Sequence, residues 1–337
     1  MSSAGRKTPG WRLSVGPLSA SDQLQVTALA ELAADFDGVA PLSEVPLLRL
    51  AETAPWLTHV QVRQSEGFGP GTLDDEGVLL GYAQVDRSGG TASAELVVLP
   101  DARRRGIGSV LVATAEADAR MPAVSGAGNS AGQELRVWAH GDLAPAQSFA
   151  AAKGYQPVRE LLLLSRPLKE GGSHRASPPK RGLPDGYRLR KFQTEADDAA
   201  WVGLNALVFA DHPEQGRLTM ADLHARQNEP WFNPNDFQVI DGPNGELIAF
   251  NWMKVDPETP ASGEIYAIGV HPEHRRLGIA GYLLDAAIGH LGANGLSQIT
   301  LYVEGTNEAA LATYYTAGFT PTAADIQYAK SPATLSQ

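Results

Sequence analysis

Two short turns, rich in arginine and small residues, are where this chain could gather chemistry. One is Arg103, Arg104, Arg105, Gly106, Ile107, Gly108; the other is Arg275, Arg276, Leu277, Gly278, Ile279, Ala280. Both fit R-x-x-G-x-(G/A). Each follows an apolar, β-like run and a proline, and each opens a segment with helical periodicity. Small residues let a backbone approach an anion closely. Successive N–H groups form a concave set of donors, and the following helix adds unpaired N–H groups and the positive end of its dipole. Arginines suit phosphate oxygens. One such turn is as easily a solvent-facing loop; two in the same context point to phosphate binding. Neither is a Walker loop, because no Gly-Lys-Ser/Thr follows. The dinucleotide fingerprint fails at Leu111 and Leu283, where its third glycine would stand.

The elements that must position these turns recur along the chain. AELVVLPDARRRGIGSVLVATAEADA, from Ala94, answers IYAIGVHPEHRRLGIAGYLLDAAIGHL, from Ile265, at an offset of 172 residues across the turns. LRVWAHGD answers TLYVEGTN at an offset of 165, and AAAKGYQPV answers YYTAGFTPT at an offset of 164, so a deletion of seven to eight residues relates the copies. Residues 78–85 and 238–251 are β-like in content; 108–120 and 280–291 read as helices. Strand, helix, strand, helix in each half implies an α/β fold with some parallel pairing. Residues 169–186, KEGGSHRASPPKRGLPDG, have linker composition. The expected organisation is a domain over 1–168, a linker over 169–186 and a domain over 187–337. Residues 121–133, rich in Gly, Ala and Ser, read as a loop.

Composition bounds the function. The 337 residues carry a net charge of −11, which argues against a nucleic-acid partner. No cysteine is present, so disulfides and thiolate metal sites are impossible. No apolar run reaches the ~20 residues of a membrane span, and the N-terminus lacks a signal-like apolar segment. A cytoplasmic monomer with a small-molecule partner is expected. His140, His271 and His274 form no metal set; solvent or ligand contact is their expected fate.

The strand followed by R-x-x-G-x-(G/A) resembles the acyl-CoA signature of the GCN5-related N-acetyltransferases. The resemblance covers both halves and implies two tandem domains of that fold, each a mixed twisted sheet flanked by helices. It implies acetyl-CoA as co-substrate and no metal. In the first copy it carries CoA contacts to Leu96, Val97, Val98, Arg104, Arg105, Gly106, Ile107, Gly108 and Ser109. In the second it carries them to Ile268, Gly269, Val270, Arg275, Arg276, Leu277, Gly278, Ile279, Ala280 and Gly281, and to Asn307, Glu308, Ala309, Ala310, Leu311 and Ala312. Glu264 matches the family's general base, working through water, and Tyr314 its general acid; Tyr315 is the adjacent rival.

Dispersed segments tighten the match. Asp37-Gly-Val-Ala-Pro41, Trp138-Ala-His140, Phe209-Ala-Asp-His-Pro-Glu-Gln-Gly216, Glu229-Pro-Trp-Phe-Asn-Pro234 and Leu301-Tyr-Val-Glu304 are similar to a two-domain member of the family. That member acetylates the cysteinyl amine of a glucosaminyl-inositol. The resemblance implies acceptor contacts at Glu44, Glu214, Lys254, Glu264 and Tyr302, with Glu44 reaching from the other domain. Trp231 and Phe232 read as packing anchors. Two positions depart from the pattern: Ala280 replaces a glycine, and Leu277 stands where the close relative carries arginine.

The chemistry is expected in the second half. By the repeat offsets Glu264 falls on Ala92, Asn307 on Leu143 and Tyr314 on Ala150, so the first copy keeps the phosphate turn but lacks these polar groups. Its own Glu95 aligns with Ala267, an odd step along the strand that points to the opposite face unless a bulge intervenes. The first domain is therefore expected to bind CoA without transferring. Two readings remain open beside this one: an acetyltransferase for another small amine, and a non-catalytic acyl-CoA sensor.

Overall fold

Capping and alternation set the elements locally. Ser19 opens the first long helix with a reciprocal cap: its Oγ accepts from Asp22 N–H at 3.1 Å, and Asp22 Oδ2 accepts from Ser19 N–H at 2.9 Å. Gly38, at φ +75°, closes that helix in the left-handed conformation. The computed structural model describes residues 10–65, 77–122, 132–168, 179, 182–210, 212, 215–257, 259 and 261–330. Most of the expected linker and loop (169–178, 180, 181 and 123–131) and Glu214 lie outside the described residues.

The first half runs β1 (Trp11–Val15), α1 (Ala20–Asp37), α2 (Glu44–Leu48), β2 (Leu57–Gln64), β3 (Leu79–Asp86), β4 (Ala92–Val98), α3 (Ile107–Ala119), β5 (Leu135–Ala139), α4 (Ala144–Ala152) and β6 (Tyr155–Pro167). The second runs β7 (Arg188–Lys191), α5 (Asp198–Val208), α6 (Met220–Gln227), β8 (Phe237–Asp241), β9 (Leu247–Lys254), β10 (Ser262–Val270), α7 (Ile279–Ala293), β11 (Gln298–Glu304), α8 (Glu308–Thr316) and β12 (Thr320–Lys330). The β-like stretch 238–251 holds two strands. A tight turn joins β8 to β9, with Gly242 N–H bonded to Glu246 O at 2.8 Å and Gly245 at φ +83°.

The chain divides into two compact units, Met1–Glu160 with Ala324–Gln337, and Leu161–Ala323. They interleave in sequence because β6 and β12 each divide between them. In the first unit β1 to β4 are successive antiparallel strands, β4 runs parallel to β5, and the end of β12 pairs antiparallel with β5, Ile326 opposite Ala139. In the second unit β7 to β10 repeat that order, β10 runs parallel to β11, and β6 pairs antiparallel with β11. Both sheets are mixed and covered on two faces. In the first, α1 packs its Val26 and Leu29 against Tyr82 and Val97, and α3 packs Ile107 and Leu111 against Val60, Val62 and Ala83. In the second, α7 packs Leu284, Ala287 and Leu291 against Ile265, Ile299 and Leu301. The opposite face carries an aromatic core, with Trp201 set edge-on to Phe237, Phe250 and Trp252 at 5.3–5.7 Å between ring centres.

The first unit also buries a charged network. His140, just past β5, places Nε2 3.1 Å from Glu95 Oε2 and Nδ1 3.0 Å from Asp325 Oδ2. Glu95 Oε2 accepts from Ser43 N–H at 2.6 Å and Oε1 from Ser43 Oγ at 2.7 Å, while Asp325 Oδ1 accepts from Gly141 N–H at 2.8 Å. All three charged side chains are nearly closed to solvent, so His140 is not the solvent- or ligand-facing residue expected. Burial disfavours its charge, but the carboxylates of Glu95 and Asp325 outweigh burial and push the imidazole up to about 10. Its folded value lies above the ordinary 6.5, so this stabilisation is complete below pH 6.5 and is lost as pH rises through about 10. Replacing His140 with Gln leaves two buried carboxylates uncompensated, and the expected cost is about 3–5 kcal/mol near pH 6. Urea unfolding from about pH 6 to pH 10 checks this: the gap between native protein and variant narrows with pH. A gap that stays constant rules out a charged His140.

Candidate active site

The two arginine turns have the same conformation. Arg104 and Arg276 adopt φ +64° and +65°, and Gly106 and Gly278 adopt +87° and +79°. A non-glycine residue in this region is strained, and such strain concentrates at functional sites. Ile107 and Ile279 anchor the turns, each 1 % exposed. The first internal helix bonds run from Val110 N–H to Gly106 O and from Tyr282 N–H to Gly278 O. The N–H groups of residues 107–109 and 279–281 therefore have no partner within their helices. Glycine caps both helices and supplies no side-chain bond. The arrangement suits a diphosphate.

The arginines divide their work. Arg103 is tied to the fold by two bonds to Asp37, at 2.7 and 2.6 Å. Arg275 Nε donates to Val270 O at 3.5 Å. Arg104, Arg105 and Arg276 are exposed, as are Leu277 and Ala280. His271 and His274 serve the turn itself: His271 Nδ1 accepts from Glu273 N–H at 3.2 Å, and His274 Nδ1 is bonded to the Tyr187 hydroxyl at 2.8 Å. Leu96, Val97 and Val98 pack their side chains into the first unit's core, so the backbone is what they offer a ligand. Ser109 is half-buried in the first turn of α3. Ile268 and Val270 pack beneath α7. A Cβ on Gly269 would come within 2.8 Å of Phe250 and Val208, so this glycine is also a packing requirement.

Each turn follows a strand pair that separates. β4 pairs with β5 only over Ala92–Ala94, and β10 with β11 only over Ser262–Ile265. One difference matters. β10 carries a bulge against β9: Ile265 faces Met253 and Ala267 faces Trp252, leaving Tyr266 as the extra residue, whereas β4 pairs evenly with β3. The bulge undoes the parity argument for Glu95. Ala92 packs on the α3 side, while Glu264 alternates with Ile265 and faces away from α7, the side matching that of Glu95. Ser93, not Ala92, occupies the place of Glu264 in the first unit.

On the α7 side, Asn307 caps α8, its Oδ1 accepting from Ala310 N–H at 3.1 Å; Leu143 makes no such bond in the first unit. Tyr314 packs against the α7 core, its ring 6.1 Å from Phe319, and its hydroxyl has no hydrogen-bond partner among the described residues. Burial pushes this phenol up to about 12. Tyr315 turns outward and is 46 % exposed. Glu308, Ala309 and Ala312 lie exposed on α8, and Ala310 and Leu311 are half-buried. Gly281 and Ala312 line a cavity of about 390 Å³ with Arg166, Leu284, Asp285 and Thr313.

On the opposite face, Glu264 stands in register with Lys254 of β9. Tyr302 alternates with the buried Leu301 and Val303 and is 45 % exposed. Lys254 Nζ lies 4.7 Å from the ring centre of Trp231 and 5.7 Å from that of Tyr266. Arg226, 4 % exposed, donates Nε to the Tyr266 hydroxyl at 2.7 Å. The sequence reading passed over Tyr266 and Arg226, because neither sits in a motif and a bulge leaves no sequence mark. Glu44 begins α2, directly after Ser43, in the first unit. No group of three metal-binding side chains occurs among the described residues, and none of their helices is long and apolar enough to cross a membrane.

Comparison with known proteins agrees with this geometry. Residues 201–319 match the acetyltransferase (GNAT) family and residues 72–157 an acetyltransferase (GNAT) domain. The mycothiol acetyltransferase of Sanguibacter keddieii is 44 % identical, over 93 % of this chain and 95 % of that protein; that of Thermomonospora curvata is 42 % identical, over 91 % and 93 %. Two solved structures share the fold. A GCN5-related N-acetyltransferase from Sphaerobacter thermophilus has a TM-score of 0.65 at 20 % identity, covering 94 % of this chain and 95 % of that one. A tandem GNAT protein from the clavulanic acid pathway has a TM-score of 0.64 at 19 % identity, covering 96 % and 100 %. The chain belongs to the mycothiol acetyltransferase family, with two GCN5-related N-acetyltransferase domains in tandem.

Proposed function

We propose that the protein transfers acetyl from acetyl-CoA to the cysteinyl amine of cysteinyl-glucosaminyl-inositol, the last step of mycothiol biosynthesis, and that the second unit performs the chemistry. The observation that carries this is the separation of β10 from β11, with Glu264 on one face of the sheet and, on the other, the Tyr314 hydroxyl, which has no hydrogen-bond partner among the described residues. Acetyl-CoA supplies the activated acyl thioester. The N–H groups of residues 279–281, without a partner in their helix, and the left-handed Arg276 suit its diphosphate; Gly281 lines a cavity with Ala312, and Asn307 to Ala312 are proposed to contact the same ligand. The first unit keeps the turn from Arg104 to Ser109, and the proposal gives it acyl-CoA binding without transfer.

An α-ammonium has a pKa of ~8 and must lose its proton before it attacks. Glu264 takes that proton through water. Backbone N–H groups on the free edge of β10 beyond Tyr266 support the carbonyl oxygen as negative charge builds on it. The new C–N bond forms as the C–S bond breaks; the Tyr314 hydroxyl gives its proton to the departing thiolate, and the proton that the new amide nitrogen sheds restores the phenol. Lys254, Tyr302, Glu214 and Glu44 are proposed to hold the polyol acceptor. No residue in this scheme requires a metal. Cytoplasmic location and action as a monomer belong to the same proposal, the first supported by the cysteine-free composition.

Glu264→Gln is expected to lower kcat by about 10²-fold or more, and Tyr314→Phe by about tenfold or more, with acetyl-CoA KM little changed. Glu95→Gln is expected to leave kcat intact; loss of turnover there with survival in Glu264→Gln reverses the roles of the units. Because Tyr314 stays protonated until about 12, kcat should show no fall from its ionisation between about pH 7 and 10. Gly278→Val places a side chain where φ is +79° and is expected to raise acetyl-CoA KM about tenfold or more, whereas Gly106→Val leaves it unchanged. Equal effects at both glycines would place productive CoA in the first unit. Acceptor identity is read by product mass, comparing cysteinyl-glucosaminyl-inositol with aminoglycosides, polyamines and free cysteine. Turnover on another amine alone discards the acceptor and keeps the site. Acetyl-CoA binding without turnover on any amine favours a sensor.

A further inference from the structure

A lysine at the end of a strand usually extends into water. Lys254 instead lies over two aromatic rings, 4.7 Å from the centre of Trp231 and 5.7 Å from that of Tyr266. The two rings are 5.2 Å apart at 47°, so they form a concave cradle. It is held from behind. Trp231 is 6 % exposed and lies 5.7 Å from Trp252, which stacks on Phe237 at 4.5 Å. Tyr266 is the residue that the bulge in β10 adds to this face. Its hydroxyl accepts from Arg226 Nε, and Arg226 is fixed in turn by a 2.9 Å bond from Nη1 to Asp222 O. Ring faces attract an ammonium through their quadrupole and fix its position. The cradle therefore sets the Lys254 ammonium on the sheet face away from α7, where Glu264 stands in register with it.

We propose that Trp231 and Tyr266 are positioning residues for the acceptor: they hold the Lys254 ammonium where it donates hydrogen bonds to the hydroxyl and carbonyl oxygens of a polyhydroxylated amide-linked amine. This rests on the assignment of Lys254 to acceptor binding above. The buried Arg226 belongs to the same device, because it fixes the Tyr266 ring. A packing-only role for Trp231 would affect stability and both substrates alike; a positioning role acts on one substrate alone.

Steady-state kinetics with cysteinyl-glucosaminyl-inositol and acetyl-CoA test this. Trp231→Leu is expected to raise the acceptor KM about tenfold, with kcat and acetyl-CoA KM within about twofold of the native protein. Trp231→Phe keeps a ring face and recovers most of that loss. Lys254→Met raises the acceptor KM similarly, and the double variant Lys254→Met/Trp231→Leu is no worse than Lys254→Met alone, because both remove one interaction. Arg226→Met, which frees Tyr266 without touching Trp231, gives a smaller rise of the same kind and serves if Trp231→Leu fails to fold. A raised acceptor KM in Lys254→Met with none in Trp231→Leu or Arg226→Met overturns the cradle and leaves Lys254 as a contact. Multiplying effects in the double variant overturn it too. An unchanged acceptor KM in Lys254→Met removes the assignment of Lys254 itself.

Discussion

In the second unit β10 and β11 run parallel but share hydrogen bonds only from Ser262 to Ile265. Where that pairing stops, the sheet opens. The edge of β10 beyond it is freed of its neighbour, so its backbone donors can be spent on a ligand. Glu264 is the last polar side chain before the opening, and Tyr314 approaches from the helical side with its hydroxyl unengaged. The turn after β10 then sets three unpaired helix N–H groups at the end of the same strand. In the proposed reaction the diphosphate donors, the carbonyl support and the proton acceptor take their places from one strand and the point where it loses a partner, and Tyr314 meets them from α8.

The first unit shows what the same topology becomes when other groups fill it. Its strands also part, after Ala94, and its turn is superposable in backbone angles. Yet the residue that follows is Glu95, and it is consumed: Ser43 and His140 take both carboxylate oxygens. Both oxygens of this carboxylate are held in the network around His140, whose imidazole is pushed up to about 10. Glu264 and Glu95 stand on matching faces in different surroundings, one beside the opening of the sheet and one held in a buried network. That contrast, together with Ser93 in the place of Glu264, separates the units.

Much of this could be read from residue order. The duplicated turns stand out because their spacing from strand and proline repeats at a constant offset, and the helix start at Gly106 and Gly278 follows from glycine alone. The direction of Tyr314 against Tyr315 follows from helical geometry only once the core is known: Tyr314 turns toward Phe319 and Tyr315 toward solvent. The bulge at Tyr266 has no sequence signature, since it depends on how β9 and β10 reconcile their aromatic packing. Without it, parity places Glu95 on the wrong face and leaves Tyr266 an ordinary strand tyrosine. The network of His140 and Asp325 was equally hidden, because its members lie 185 residues apart and meet only when β12 joins β5.

The retained strain in the first unit bears on why it exists. Arg104 sits at φ +64°, a conformation that costs an L-residue with a Cβ about 1–2 kcal/mol. A turn freed from any ligand would relieve that cost by substituting glycine or by relaxing, and its cap would gain a Ser, Thr, Asp or Asn to satisfy the helix donors. In this chain arginine stands there, and Gly106 offers the N–H groups of residues 107–109 no side-chain cap. Unsatisfied donors and a strained arginine stabilise nothing by themselves; an anion compensates both at once. The same reasoning does not extend to the proposed chemistry, since Leu143 and Ala150 stand where the second unit has Asn307 and Tyr314. The proposed division of labour therefore gives binding to the first unit, whose acidic residue lies in a buried network, and the reaction to the second.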